Sequence, residues 1–209
     1  MSSSVERKRI RKSPAARRAE IVAKAAETAL SDGLESITLR RIGDALDVRP
    51  GLVSHYFPSV EDLVAEAFGD AASGELDALL PPPDPEDDPT ARLVDFFALT
   101  SGPAWNDISR LWINARHLAR HRPALAGRVA DQEASWRERL SALLADGVEQ
   151  GAFRTPDPVV TAQMILVVLD GLGADAGAEH EALPPAVRRM AISLAERELG
   201  LAPGALAPL

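Results

Sequence analysis

Thr38, Arg40, Arg41, Arg49, Gly51, Leu52, Ser54, His55 and Tyr56 fall within one short stretch and offer hydroxyls, guanidinium forks, an imidazole and an open backbone. These groups suit contact with a nucleic acid rather than bond breaking. Thr38, at a helix start, can present its hydroxyl and nearby backbone N–H groups to a phosphate, where the helix dipole also favours negative charge. A guanidinium fork such as that of Arg40 pairs with guanine O6 and N7, worth ~1–3 kcal/mol of discrimination. Arg49 can clamp a phosphate or read a base edge. Gly51 lets backbone approach closely, and the natural partner of an outward Leu52 is a thymine methyl. For Arg41, a solvated face is as good a reading as contact.

Two short helices joined by a tight turn must hold these groups. Thr38 is a favoured N-cap, and Leu39, Ile42 and Leu46 repeat at helical spacing. Asp47 tolerates the left-handed backbone that a tight turn needs. Pro50 fits the first turn of the second helix, where its missing N–H is not required. Val53 and Phe57 then face inward, which turns Leu52, Ser54, His55 and Tyr56 mostly outward. A short helix with a small, polar and aromatic outer face, packed on a capped helix, is what a helix-turn-helix places in the major groove.

Over these residues the chain resembles the TetR family of transcriptional regulators. The resemblance runs from the preceding helix through Val48–Phe57 and into Pro58, Ser59, Val60, Glu61, Asp62 and Leu63. The sequence departs from the family pattern at Asp47 (glycine is usual), Arg49 (serine), Ser54 (tyrosine) and Val60 (lysine). The first is backbone chemistry; the others change DNA-facing groups. The resemblance implies that Arg40 stands where a side chain can reach a base, and that His55 and Tyr56 contact phosphates. It also implies a C-terminal effector-binding domain, with repression as the default.

Composition is consistent with that reading. The net charge of −8 conceals an asymmetry: residues 1–60 carry 11 Lys/Arg against 7 Asp/Glu, whereas the remainder is strongly acidic. Arg7, Lys8, Arg9, Arg11, Lys12, Arg17 and Arg18 form a basic arm, the footprint expected where one end meets phosphates. With no cysteine, disulfides and thiolate chemistry are excluded. The basic start lacks a following apolar region, and Val159–Leu172 is too short and too interrupted to span a bilayer. A cytoplasmic protein without membrane contact is expected.

The rest of the chain reads as helices punctuated by Pro and Gly. Expected helices run from Pro14 or Ala15 to Asp32-Gly33, from Ser59 to Leu80, Thr90 to Thr100, Trp105 to Arg120, Ala124 to Gln150, Pro158 to Leu172, and Pro184 to Leu199. The proline-rich acidic segment 81–89 is a loop. Ala202–Leu209 is expected to be disordered. The fold class is therefore all-α, with a DNA-binding unit over 1–60 and an effector-binding and dimerisation domain over 61–209. A homodimer is expected through the helices near 158–172 and 184–199, with Val187, Met190, Ala191, Leu194 and Glu198 as a seam.

In the second body, Trp105 and Trp112 are seven apart on one helix face, with Ile108 between them, and Trp136 lies on the helix that should pack alongside. The three indoles form either core or the wall of an apolar cavity. Asn114, His117, Gln163 and Asp170 are the polar groups that could orient a ligand. Three indoles suit a hydrophobic or aromatic molecule, and their faces also suit a cation. The spacing from Trp105 to Gly171, with its Asp170-Gly171-Leu172 ending, resembles the choline-responsive subgroup in layout, without transferring a ligand.

No cofactor, metal or enzymatic activity is expected. His117 and His121 are four apart but lack further ligands. Gly171, Gly173 and Gly177 do not match a dinucleotide fingerprint, and no catalytic spacing is present. The expected function is a ligand-responsive regulator, most simply a repressor, that binds a pseudo-palindromic operator as a dimer and is released by a small molecule. The alternatives are a DNA-binding regulator without an effector, and a helical enzyme.

Overall fold

The computed structural model describes residues 12–84, 87–174 and 183–207. Among these residues the chain is helical, without strands. The elements are α1 (Pro14–Asp32), α2 (Leu39–Ala45), α3 (Pro50–Tyr56), α4 (Val60–Leu79), α5 (Pro89–Leu99), α6 (Pro103–Ala119), α7 (Pro123–Glu149), α8 (Pro158–Ala174), α9 (Pro185–Arg188) and α10 (Met190–Glu198). A single 3-10 turn, Leu34–Ser36, joins α1 to α2. No helix among the described residues is long and apolar enough to cross a membrane.

Local chemistry sets most helix starts. Ser13, Thr38, Ser59 and Asp88 each accept a backbone N–H through the side chain at the N-cap, and prolines open α5, α6 and α7. Both devices satisfy or remove donors that a helix start leaves unpaired.

The helix α4 unites the two halves of the molecule. Its first turns lie along α1, where Arg18 pairs with Glu66. Its later turns lie along α7, where Ser73 donates to Gln132 at 3.3 Å and Arg139 pairs with Asp77 at 2.5 Å. One core runs through both halves, from Ile21, Ile42, Val53 and Phe57 to Phe68, Phe96, Leu140 and Ile165.

Two expectations about the C-terminal region are corrected. The last helix is not continuous from Pro184 to Leu199: α9 is one turn, and Arg189, at φ −89° and ψ 5°, separates it from α10. The expected seam is thereby divided, because Ala191 is buried within the protomer whereas Met190 is 50 % exposed. The residues after Leu201 are also ordered as far as described. They turn back so that the Glu196 carboxylate accepts the N–H groups of Gly204 and Leu206, at 2.9 and 3.0 Å, with Leu206 fully buried. A buried carboxylate stripped of bonding partners is costly, and these two amides answer it.

Glu196→Ala should therefore loosen the tail and cost ~2 kcal/mol, which lowers the thermal midpoint by about 4–8 °C in a chain of this size. Glu196→Gln, which keeps one acceptor oxygen, should recover most of that. An unchanged midpoint in calorimetry would show that the tail adds nothing to the fold.

Candidate DNA-reading surface and effector cavity

The pair α2–α3 is built as its sequence predicts. Thr38 Oγ1 accepts the Arg41 N–H at 3.1 Å. Asp47 is the one non-glycine residue with positive φ among the described residues, at 52°, and the Val48 N–H closes the turn on the Gly43 carbonyl at 2.9 Å. Val53 and Phe57 are buried and anchor α3. Arg18 lies over the Phe57 ring, 4.7 Å from its centre, and also pairs with Glu66. This member of the basic arm thus fastens α1 to α3 and α4. Residues 1–11 of the arm lie outside the described residues.

The outward residues fall into two groups. Thr38, Arg40, Arg49, Gly51 and His55 are exposed, while Leu52, Ser54 and Tyr56 are half-buried. A side chain added at Gly51 would meet open space, so the backbone there is bare. Arg40 is 86 % exposed and only loosely paired with Asp44 at 3.8 Å, whereas Arg41 is tied to Asp32. Arg49 makes no ion pair among the described residues. Arg41 thus reads as a tie between α1 and α2, while Arg40 and Arg49 keep forks to offer. Ser54 Oγ bonds back to the Gly51 carbonyl at 3.3 Å, and the His55 and Tyr56 rings meet edge to face at 5.3 Å.

The second site is a cavity of about 160 Å³ lined by α4, α5, α6, α7 and α8. Trp105, Trp112 and Trp136 all line it, with Phe96, Ile113, Leu166 and Leu169 among the apolar part. An apolar cavity of about 150 Å³ holds a benzene molecule, which sets the scale of an occupant. The helix α8 comes close enough to α6 that a Cβ on Gly173 would stand 3.0 Å from Ser109 Oγ.

The cavity's charges come from four helices. Trp112 Nε1 donates to Glu75 Oε2 at 2.7 Å. Burial pushes the Glu75 carboxyl up to about 7; the Trp112 bond and the charge of Arg116 act against the shift, and Asp170 adds to it. Arg116 Nε donates to Glu133 Oε1 at 3.0 Å and its terminal nitrogen donates to Asp170 Oδ2 at 2.9 Å, while the guanidinium lies over Trp112, 5.1 Å from the ring centre. Burial opposes the charge of Arg116, but Asp170 and Glu133 outweigh it and raise its pKa. This ion ladder ties α6 to α7 and α8 across the cavity.

Gln163 and Asp170 line the cavity, but Asn114 and His117 do not. They lie on other faces of α6, away from the cavity wall. Asn114 Oδ1 accepts the Leu34 N–H at 3.0 Å, and its Nδ2 donates to Glu35 at 2.9 Å. His117 is exposed, and no group of three or more metal-ligating side chains occurs among the described residues. Sequence reasoning missed Glu75, Ser109, Glu133 and Arg137. Glu75 stands beside an apolar stripe of α4 and carries no local mark of burial.

Comparison with known proteins places both halves of the chain in described families. Residues 21–67 match the family described as bacterial regulatory proteins, tetR family, and residues 89–200 match the C-terminal domain of BetI-type transcriptional repressors. No curated protein sequence matches. Among solved structures, a TetR transcription regulator from Haloarcula marismortui is 23 % identical, with 88 % of this chain and 99 % of that one covered and a TM-score of 0.72. GusR of Salmonella enterica is 19 % identical over 90 % and 98 %, at 0.69. A transcriptional regulator from Saccharomonospora viridis, in complex with choline, is 20 % identical over 88 % and 98 %, at 0.69. At these identities the structural likeness is one of fold, and the family rests on the two domain matches, the larger of which spans more than half the chain. The chain belongs to the TetR family of transcriptional regulators.

Proposed function

We propose that this regulator binds a pseudo-palindromic operator as a homodimer, represses from it, and is released when a small molecule fills the α4–α8 cavity. The observation that carries the reading is the placement of α6. Its Trp105, Trp112 and Arg116 wall the cavity, and its Asn114 holds the turn that leads into α2. One helix therefore touches both the effector space and the DNA-reading unit. A ligand that favours a shifted α6 moves the head spacing, and its differential affinity for the two states drives release. That a protein of this fold is in complex with choline supports a small effector.

The expected dimer brings two α3 helices to successive major grooves, ~34–36 Å apart or a related distance. Its face is the outer side of α8 and α10, where Val159, Val160, Val167 and Met190 are 50–61 % exposed. The direct test is to select duplexes from a random pool, then measure binding to the selected operator with and without ligand. Failure to enrich any sequence would overturn the reading. Enrichment without ligand response in any screen would leave a DNA-binding regulator controlled by other means.

Two substitutions sharpen it. Arg40→Ala should relax preference at one base pair by ~1–3 kcal/mol, seen as a flattened position in the selected sequences. Equal losses on operator and random DNA would reassign Arg40 to phosphate. Asn114→Ala should leave ligand affinity unchanged, since Asn114 is off the cavity wall, yet reduce ligand-driven release. Coupling of this kind is worth ~1–3 kcal/mol, so much of a ten- to hundredfold response is at stake. Full release by the variant would place the coupling elsewhere.

A further inference from the structure

The cavity wall carries three carboxylates and two guanidinium groups: Glu75 from α4, Arg116 from α6, Glu133 and Arg137 from α7, and Asp170 from α8. Arg116 is spent on Glu133 and Asp170. Glu75 is different. Its Oε2 accepts from Trp112, and its Oε1 has no hydrogen-bond partner among the described residues.

We propose that the effector is a small hydrogen-bond-donating organic cation, a protonated amine or amidine on an apolar or aromatic body, and that Glu75 is the carboxylate that selects it. The proposal rests on the reading of this cavity as the effector site.

Charge balance comes first. With Glu75 ionised the wall has one net negative charge. A monocation makes it neutral, an anion makes it worse, and a zwitterion leaves it as it was. Separation from water strengthens such differences. Bonding comes second. An ammonium N–H can donate to Glu75 Oε1 in a charge-assisted bond, whereas a fully alkylated cation gains the indole faces but leaves that oxygen unanswered. Size comes third, since about 160 Å³ suits a single ring and a short arm.

The site also links binding to protons. Burial pushes Glu75 up to about 7, with Asp170 adding to the shift and Arg116 opposing it; Glu133 and Arg137 are the other charged groups on the wall. A bound cation requires the carboxylate, so its arrival expels the proton from the molecules that hold one. Affinity therefore rises with pH, approaching tenfold per unit below about 7, and levels off above it.

The test uses the full chain and near-isosteric probes. Benzylammonium, benzyl alcohol and benzoate vary the charge; tert-butylammonium and tetramethylammonium share a shape but differ in hydrogen-bond donation. Binding is followed by tryptophan fluorescence and by calorimetry in two buffers of different ionisation heat. Benzylammonium should bind at least tenfold tighter than the alcohol, and benzoate weakest. The tert-butyl probe should bind more tightly than tetramethylammonium, and ammonium binding should release protons near pH 6.5. Glu75→Gln should abolish the charge preference and the pH dependence; if that variant does not fold, the wild-type probe order and proton release still decide. Benzoate or alcohol binding as tightly as benzylammonium, parity of the tert-butyl pair, no proton release, or no binding by any probe would each overturn the proposal. Operator selection by the same protein keeps the two readings apart: operator binding without ammonium selectivity defeats only this inference, and no operator binding defeats the regulator reading.

Discussion

Val167→Glu is expected to turn a dimeric protein into a monomer and to reduce operator affinity by at least about a hundredfold. Val167 is 58 % exposed on α8, close along the same helical face to Val160 at 53 %, so within the protomer the substitution faces largely solvent. Across a twofold axis every change counts twice, and an unpaired charge buried in an interface costs several kcal/mol. A single head reads one half-site, so affinity should fall from the specific range, ~10⁻⁸ M or tighter, towards the non-specific range of ~10⁻⁴–10⁻⁶ M. The helical circular dichroism and thermal midpoint of the dissociated chain should show a folded protomer. Leu194→Glu is a poorer probe, because Leu194 is half-buried within the protomer and its replacement disturbs fold and interface together. A wild-type chain that sediments as a monomer at micromolar concentration, or a Val167→Glu chain that stays dimeric, would remove this face from the assembly.

What could be read from the sequence was what short-range chemistry decides. Thr38 as a cap, Asp47 with its positive φ, and Val53 and Phe57 as inward anchors follow from residue type and spacing over a few positions, and the structure has them so. Helical spacing likewise predicted that Trp105 and Trp112 share a face, and both line the cavity. Glu75 and Glu133 were not legible, because they become cavity residues only when α4 and α7 close on α6, and nothing in their neighbours marks that closure. The place of Asn114 off the cavity wall has a related cause. Its place on α6 suggested a ligand, yet its bonds reach Leu34 and Glu35, some eighty positions away in the chain. In the C-terminal segment Ala, Pro and Gly look like loose chain, whereas its order comes from the buried carboxylate of Glu196.

Trp112→Ala carries the largest expected effect on the fold, and the contrast with Trp105→Ala separates cavity wall from core. Trp112 is 8 % exposed, meets the fully buried Phe68 edge to face at 5.0 Å, and supplies the indole N–H held by Glu75. Removing it opens a void and strips a buried acid of its donor, for a loss of ~3–5 kcal/mol and a midpoint lower by roughly 10 °C or more. Phe68 lies on α4, the helix shared by head and body, so operator binding should weaken as well. Trp105 is only half-buried at the cavity wall. Trp105→Ala should shift the midpoint by a few degrees, keep operator binding, and weaken the response to a cavity ligand about tenfold. Trp112→Phe divides the two contributions of that residue, keeping most of the volume while withdrawing the N–H. Because that bond favours the charged form of Glu75, its loss should move the carboxyl's titration to higher pH without unfolding the protein. A Trp112→Ala chain as stable as wild type would mean that Trp112 is wall alone, and that the core closes over Phe68 without it.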